Sequence, residues 1–179
     1  MTSARRVVFL DRDGVVTVPI AREGKGFAIR FLSDLVFYSD AQDSVRRLRE
    51  AGFDVVIVTN QPDLANELID EEELELIHAK VMATLDVTRI RTCPHALVDG
   101  CDCRKPLPGM LLLEADFEPV NFDESWMVGD RDGDIMAGAA VGCRTVFIDR
   151  GWLAETGLGA TAVVMSLAAA VDTILGPCC

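Results

Sequence analysis

No stretch of this chain comes near the ~20 consecutive apolar residues of a membrane-crossing helix. The longest candidate, residues 160–175, carries Ser166 and Asp172, so no membrane contact is expected. Basic residues are also scarce: 17 Lys and Arg stand against 29 Asp and Glu, a formal net charge of −12. That balance argues against a nucleic-acid partner, because phosphate backbones are held by clustered cations. A small anionic ligand stays compatible with it if the few cations gather locally. A secretory leader is not expected either. Arg5-Arg6 could open one, but the apolar run behind them stops at Asp11, too short for a leader's apolar region. A cytoplasmic location is therefore expected. Half of the 179 residues are hydrophobic, which argues against disorder. A chain of this length is expected to fold as a single domain, 1–179, burying roughly 70% of its unfolded surface. A monomer is expected.

Apolar runs of strand length alternate with helical patterns. Strands are predicted at 6–10, 54–58, 89–92, 125–128, 144–148 and 161–165. Helices are predicted at 40–51, 70–85, 108–117, 132–141 and 166–175. The second helix shows the logic: Asp70 can cap it, Glu71, Glu72 and Glu73 suit its positive end, and Leu74, Ile77, Val81 and Leu85 recur at helical spacing. This alternation predicts an α/β fold, a Rossmann-like parallel sheet flanked by helices on both faces. Two connections, 15–38 and 93–107, are long enough to suggest function. Neither leaves room for a large cap domain, so the site should be open to solvent. Asp-Arg-Asp-Gly occurs at 11–14 and at 130–133, with no further self-similarity.

Three of the apolar runs end in polar residues suited to a phosphoryl group. Val7-Val8-Phe9-Leu10 runs into Asp11-Arg12-Asp13-Gly14, Val55-Val56-Ile57-Val58 into Thr59-Asn60-Gln61, and Trp126-Met127-Val128 into Gly129-Asp130. Ligands of open α/β sheets bind outside the carboxyl ends of the strands. A carboxylate such as Asp11 can attack phosphorus, splitting one hard step into two. A neighbouring carboxyl, Asp13, can protonate the leaving alkoxide and later deprotonate water. Mg²⁺ takes hard oxygen ligands, which Asp11, the Asp13 position and Asp130 can supply. Thr59, Asn60 and Gln61 offer polar groups to the phosphoryl oxygens, and Lys105 offers a positive charge. Asp134, one helical turn beyond Asp130, could orient the metal's surroundings or Lys105. A calcium loop is excluded: counted from Asp130, an EF-hand needs glycine where Ile135 stands and glutamate where Val141 stands.

Six cysteines are present. Cys143 opens an apolar run and reads as a core residue, and Cys178 and Cys179 end a short tail. The other three cluster as Cys93-Pro94-His95 and Cys101-Asp102-Cys103. In a cytoplasmic chain such a set favours metal over disulfides, and the histidine has no place in a disulfide. Three thiolates and an imidazole make a closed, structural Zn²⁺ site with no ligand position left for water. A zinc there would pin the loop leading into Arg104 and Lys105.

The motifs Phe9-Leu-Asp-Arg-Asp-Gly-Val15, Val58-Thr-Asn-Gln61, Arg104-Lys-Pro106 and Val128-Gly-Asp130 with Asp134 resemble the haloacid dehalogenase superfamily. The resemblance implies a phosphatase with Asp11 as nucleophile and Asp13 as acid/base. The run from Cys93 through Met110-Leu111 is similar to the D-glycero-D-manno-heptose 1,7-bisphosphate 7-phosphatase family and the related histidinol-phosphate phosphatases. It implies that Arg104 contacts substrate, and it places Arg131 where that family often has lysine. The expected activity is Mg²⁺-dependent hydrolysis of a small phosphorylated metabolite, foremost the C7 phosphate of the heptose bisphosphate. Histidinol phosphate, another sugar phosphate, a phosphomutase and a catalytically silent binding domain are the alternatives.

The chain departs from the family in three loops. Pro62-Asp-Leu-Ala-Asn-Glu67 lacks the arginine-glycine pair usual there, and the metal loop is short between His95 and Cys101. The segment 19–34 carries Arg22, Lys25 and Arg30, which could read a second anionic group or form a solvated basic loop.

Overall fold

The computed structural model describes residues 4–152 and 154–176; the tail cysteines Cys178 and Cys179 lie outside them. Six parallel strands form one sheet: β1 (Val7–Leu10), β4 (Asp54–Asn60), β5 (Ile90–Cys93), β6 (Trp126–Gly129), β7 (Arg144–Ile148) and β8 (Ala162–Val164). Their order is β5-β4-β1-β6-β7-β8. The chain therefore builds outward from β1 to one edge, returns to pair β6 with β1, and builds to the other edge. The carboxyl ends of β1, β4 and β6 meet at this reversal, the usual ligand position in such sheets.

The sheet is covered on both faces, and β1 shows why. Successive side chains point to opposite faces, and all four of its residues are buried. Val8 and Leu10 join a core with α1 (Ala41–Glu50), α3 (Glu71–Leu85) and α6 (Leu167–Leu175). Val7 and Phe9 join a second core with Met110 and Leu111 of α4 (Gly109–Phe117). The helix α5 (Asp132–Ala140) covers β6 and β7 on that side. At Gly138 a Cβ would stand 2.5 Å from the Met127 Cβ, so only glycine lets α5 lie this close to the sheet. Cys143 is buried in the second core, as expected. Asp70 and Ser166 cap α3 and α6, accepting from the Glu73 and Ala169 backbone N–H groups.

Two local features were not foreseen. The 15–38 connection contains an antiparallel hairpin, β2 (Ile20–Arg22) with β3 (Lys25–Phe27). Its turn residues Glu23 and Gly24 both take positive φ, the twist a two-residue hairpin turn needs. A short helix, α2 (Pro62–Ala65), follows β4, which itself runs on to Asn60 rather than stopping at Val58. Among the described residues no helix is long and apolar enough to cross a membrane.

Below the sheet, opposite the reversal, Glu114 is wholly buried and meets three arginines. Its Oε2 accepts from Arg91 at 2.8 and 2.9 Å, and its Oε1 lies 3.0 Å from Arg89 Nε and 3.3 Å from Arg5. The three guanidinium groups reach water, so the cost of removing the carboxylate falls at the lower end for buried ion pairs. Glu114→Ala should cost about 3 kcal/mol, a fall in Tm of roughly 6–12 °C for a chain this size. A thermal melt within 2 °C of wild type would show that the network is not stabilising.

Candidate active site

The site is built at the reversal by residues that the strands deliver. Asp11 follows β1, Thr59 and Asn60 end β4, and Asp130 follows β6. Lys105 arrives from the loop ahead of α4. Its Nζ lies 2.8 Å from Asp11 Oδ1 and 2.7 Å from Asp134 Oδ1, and donates to the Val58 carbonyl at 2.8 Å. All three contacts of the ammonium are thus internal. Asn60 fixes the lysine's backbone: its Oδ1 accepts from Lys105 N at 3.1 Å and its Nδ2 donates to Lys105 O at 3.0 Å. Asp134 is held in turn, its Oδ2 accepting from the Arg131 backbone N–H at 3.1 Å.

Asp11, Asp130 and Asp134 are buried, and one oxygen from each lies within 4.8 Å of the others. Three carboxylates face one ammonium. Burial, with the Asp134 and Asp13 charges added and Lys105 opposing, pushes the Asp11 carboxyl up to about 7. Burial and the neighbouring Asp11 and Asp134 push Asp130 up to about 8. For Lys105, burial alone would favour the neutral amine, but Asp11 and Asp134 outweigh it and raise the pKa. Asp130 Oδ1 has no hydrogen-bond partner although it is buried. The nearest cation, Arg131 Nε, stands 3.9 Å from it, and such an acceptor beside two further carboxylates fits a hard cation. Gly14 makes room for it: its φ is +96°, and a Cβ there would stand 2.0 Å from Asp130 Oδ2.

Asp13 lines the same cleft, but its carboxylate is held from behind. Arg12 donates to Oδ2 at 2.8 and 3.1 Å, Gln61 Nε2 donates to it at 3.0 Å, and Thr17 Oγ1 donates to Oδ1 at 3.1 Å. Gln61 also donates to Thr59 Oγ1 at 2.8 Å and is fully buried, so it sits behind Asp13 and Thr59 rather than on the cleft. The cleft, ≈ 320 Å³, is lined by Asp11, Asp13, Thr59, Asn60, Arg104, Lys105, Arg131 and Asp134, with Gly26, Phe27 and Ala28 of the hairpin region overhanging it. Arg131 reaches back to that hairpin, donating to the Gly26 carbonyl at 2.5 Å. Arg22, Lys25 and Arg30 do not line this cleft; Arg30 instead holds Asp63, which does, at 2.6 Å.

Cys93, His95, Cys101 and Cys103 converge beside it. The Cys93 and Cys101 sulfurs are 3.5 Å apart, as are those of Cys101 and Cys103; His95 Nδ1 lies 3.6 Å from Cys93 Sγ and 3.2 Å from Cys103 Sγ. Edges of a zinc-thiolate tetrahedron run about 3.8 Å, so four ligands already stand near the corners of one. None of these cysteines is in a disulfide. Burial and the Cys93 and Cys101 sulfurs push the Cys103 thiol up to about 12, whereas hydrogen bonds outweigh burial and bring Cys101 down to about 7; a cation among them would hold all three as thiolates. The loop joins the site mechanically. Gln61 N donates to the Cys93 carbonyl at 2.8 Å, and Arg104 to the His95 carbonyl at 3.4 Å.

With this geometry in view, comparison with known proteins identifies the chain's family. The family model for haloacid dehalogenase-like hydrolases matches residues 23–142. The chain belongs to that family. A relative from Pseudomonas aeruginosa, the D-glycero-beta-D-manno-heptose-1,7-bisphosphate 7-phosphatase, is 35% identical over 153 residues, 83% of this chain and 83% of that one. The histidine biosynthesis bifunctional protein HisB of Campylobacter jejuni is 31% identical over 146 residues, 79% of this chain but 41% of the longer protein. Among solved structures, the D,D-heptose 1,7-bisphosphate phosphatase from B. bronchiseptica, complexed with magnesium and phosphate, superimposes with a TM-score of 0.83. It is 34% identical, covering 95% of this chain and 98% of that one.

As a haloacid dehalogenase-like hydrolase, the chain gathers the acids, the threonine and the lysine of its separated motifs at one point. Sequence reasoning missed Trp152, which donates to Asp130 Oδ2 at 2.5 Å, and Arg12, whose buried guanidinium backs Asp13. The cysteine geometry carries a direct expectation. Stripping a thiophilic cation with a chelator should lower the Tm and the activity together, because Arg104 and Lys105 lose their anchor. Lost activity at an unchanged Tm would assign that metal to the chemistry instead.

Proposed function

We propose that this chain is a Mg²⁺-dependent phosphatase acting on a sugar phosphate through an aspartyl-phosphate on Asp11. The C7 phosphate of D-glycero-D-manno-heptose 1,7-bisphosphate is the leading substrate. The observation that carries this reading is the environment of Asp11. Its Oδ1 is held by Lys105 Nζ and by the Arg12 backbone N–H, both at 2.8 Å, leaving Oδ2 as the oxygen free to attack phosphorus. Lys105, held against Asp11, brings its positive charge beside the phosphoryl oxygens as their charge develops. Thr59 and Asn60 on the cleft wall contact the same group. Asp13 protonates the departing alkoxide and afterwards deprotonates the attacking water. Arg104 and Arg131 flank the leaving group.

Asp11, Asp130 and the Asp13 backbone would hold Mg²⁺, with Asp134 orienting Lys105 beside it. When bound, that ion neutralises the excess carboxylate charge and polarises the phosphoryl oxygens. Cys93, His95, Cys101 and Cys103 would hold a structural Zn²⁺. The similarity to heptose bisphosphate phosphatases over most of both chains supports the substrate. The similarity to HisB keeps histidinol phosphate as the second reading. The reading includes a monomer of one domain working in the cytoplasm.

The test is phosphate release with Mg²⁺ from both anomers of the heptose bisphosphate, histidinol phosphate and a hexose bisphosphate. A strong preference for one heptose anomer is expected, and Asp11→Asn should abolish turnover while leaving the Tm nearly unchanged. Weak, even activity across the panel would reject the heptose assignment, and substantial turnover by Asp11→Asn would reject the nucleophile.

A further inference from the structure

The two oxygens of Asp130 are treated differently by the fold. Oδ2 accepts from the Trp152 indole Nε1 at 2.5 Å, whereas Oδ1 is buried without a hydrogen bond, the Arg131 Nε standing 3.9 Å away. An indole N–H can donate but not accept, so it fixes one oxygen without drawing on the other. The terminal torsion of an aspartate is broad and roughly two-fold. Without that donor the carboxylate would keep only its packing and the 3.9 Å approach of Arg131 to set its direction.

The indole is itself held. A Cβ on Gly26 would stand 3.0 Å from the Trp152 Cζ2 atom and 3.0 Å from Pro19, so the hairpin lies flush against the ring and glycine permits the contact. The Arg131 guanidinium lies 5.8 Å from the ring centroid, donates to the Gly26 carbonyl at 2.5 Å and meets Glu155 at 3.3 Å. Glu155 also accepts from the Asp132 backbone N–H at 2.7 Å. Trp152 thus joins the overhanging hairpin, the start of α5 and the buried end of β6.

We propose that Trp152 is a positioning residue for the cation site: it holds Asp130 through Oδ2, leaving Oδ1 to the cation, and it couples the β2–β3 hairpin to that orientation. The inference rests on the assignment of Asp130 to Mg²⁺ made above. Groups that orient metal ligands typically change metal affinity 10–100-fold when removed. Trp152→Phe keeps the ring's packing and deletes only the donor.

The test uses the full chain with its cysteine site loaded with zinc, and Mg²⁺ itself as the probe. Mg²⁺ binding is followed by calorimetry, and activity as a function of Mg²⁺ concentration. Trp152→Phe should weaken Mg²⁺ binding roughly tenfold, while kcat at saturating Mg²⁺ stays within about twofold and the Tm without Mg²⁺ falls by only a few degrees, the cost of one hydrogen bond to a buried acceptor. The second readout compares the emission of wild type and Trp152→Phe. The chain has two tryptophans; wild-type emission should change as Mg²⁺ is titrated in, with the same midpoint as the calorimetry, and that change should be missing from Trp152→Phe, which keeps only Trp126. An unchanged Mg²⁺ affinity in Trp152→Phe, or flat wild-type emission while calorimetry records binding, would overturn the proposal. A wild type that binds no Mg²⁺ at all would overturn the cation assignment, and this inference with it.

Discussion

The structure turns on one unbalanced charge. Asp11, Asp130 and Asp134 are taken out of water together; Lys105 pairs with two of them, and Arg131 stands 3.9 Å from the third. Burying carboxylates is expensive unless they are paired, and one ammonium cannot pair with three. The strain appears as raised pKa values at Asp11 and Asp130, and as an orphaned oxygen on Asp130. A fold that only needed stability would have no reason to keep this arrangement. A dication and a phosphoryl group together would answer it, the first matching the excess of two negative charges, the second using the ammonium.

The rest of the site serves that constraint. The reversal of strand order at β1 brings Asp11 and Asp130 to adjacent strand ends. Asn60 clamps the Lys105 backbone from β4. The cysteine loop holds the residues on either side of it, from Cys93 at the end of β5 to the Asp102 carbonyl that accepts from Gly109 N. Gly14 and Gly129 are the small residues that let Asp130 and Asp134 approach: a Cβ on Gly129 would stand 2.1 Å from the Asp134 Cβ. Arg12 and Asp13 form a separate, internally balanced pair beside this centre. Asp11 and Asp13 therefore sit in different surroundings although two residues apart.

Much of this was legible in the sequence because strand-end chemistry is local. Four apolar residues followed by Asp-x-Asp-Gly announce both a buried strand and the acids at its end. The cysteines and histidine are close in sequence and chemically distinctive. What was not legible depends on contacts between distant segments. Trp152 meets Asp130 across 22 residues, and nothing in Arg-Gly-Trp marks that partner. The hairpin of β2 and β3 has three-residue strands, largely exposed, around Glu-Gly, without the alternation or the Asn-Gly turn that betrays a hairpin. Thr59, Asn60 and Gln61 are consecutive and read alike, yet only the first two reach the cleft while Gln61 points behind it. Their separation follows from the end of β4, which runs two residues further than its apolar run.

The central claim is that buried carboxylates require a dication, and its signature is in the pH dependence of Mg²⁺ binding. Burial and the neighbouring carboxylates push the Asp11 and Asp130 carboxyls up to about 7 and about 8, against about 3.9 for a free aspartate. Because these values are raised, folding favours their protonated forms. The penalty for ionising them is absent below the unfolded value and grows as pH rises toward 8. Mg²⁺ must displace those protons at pH 6 and need not at pH 9. Calorimetric titration of Mg²⁺ into zinc-loaded protein, in two buffers of different ionisation enthalpy, should show affinity rising at least tenfold from pH 6 to 8.5 and then levelling. Proton release should be evident at pH 6 and vanish above 8.5. An affinity that stays constant across this range, with no proton release, would contradict the account.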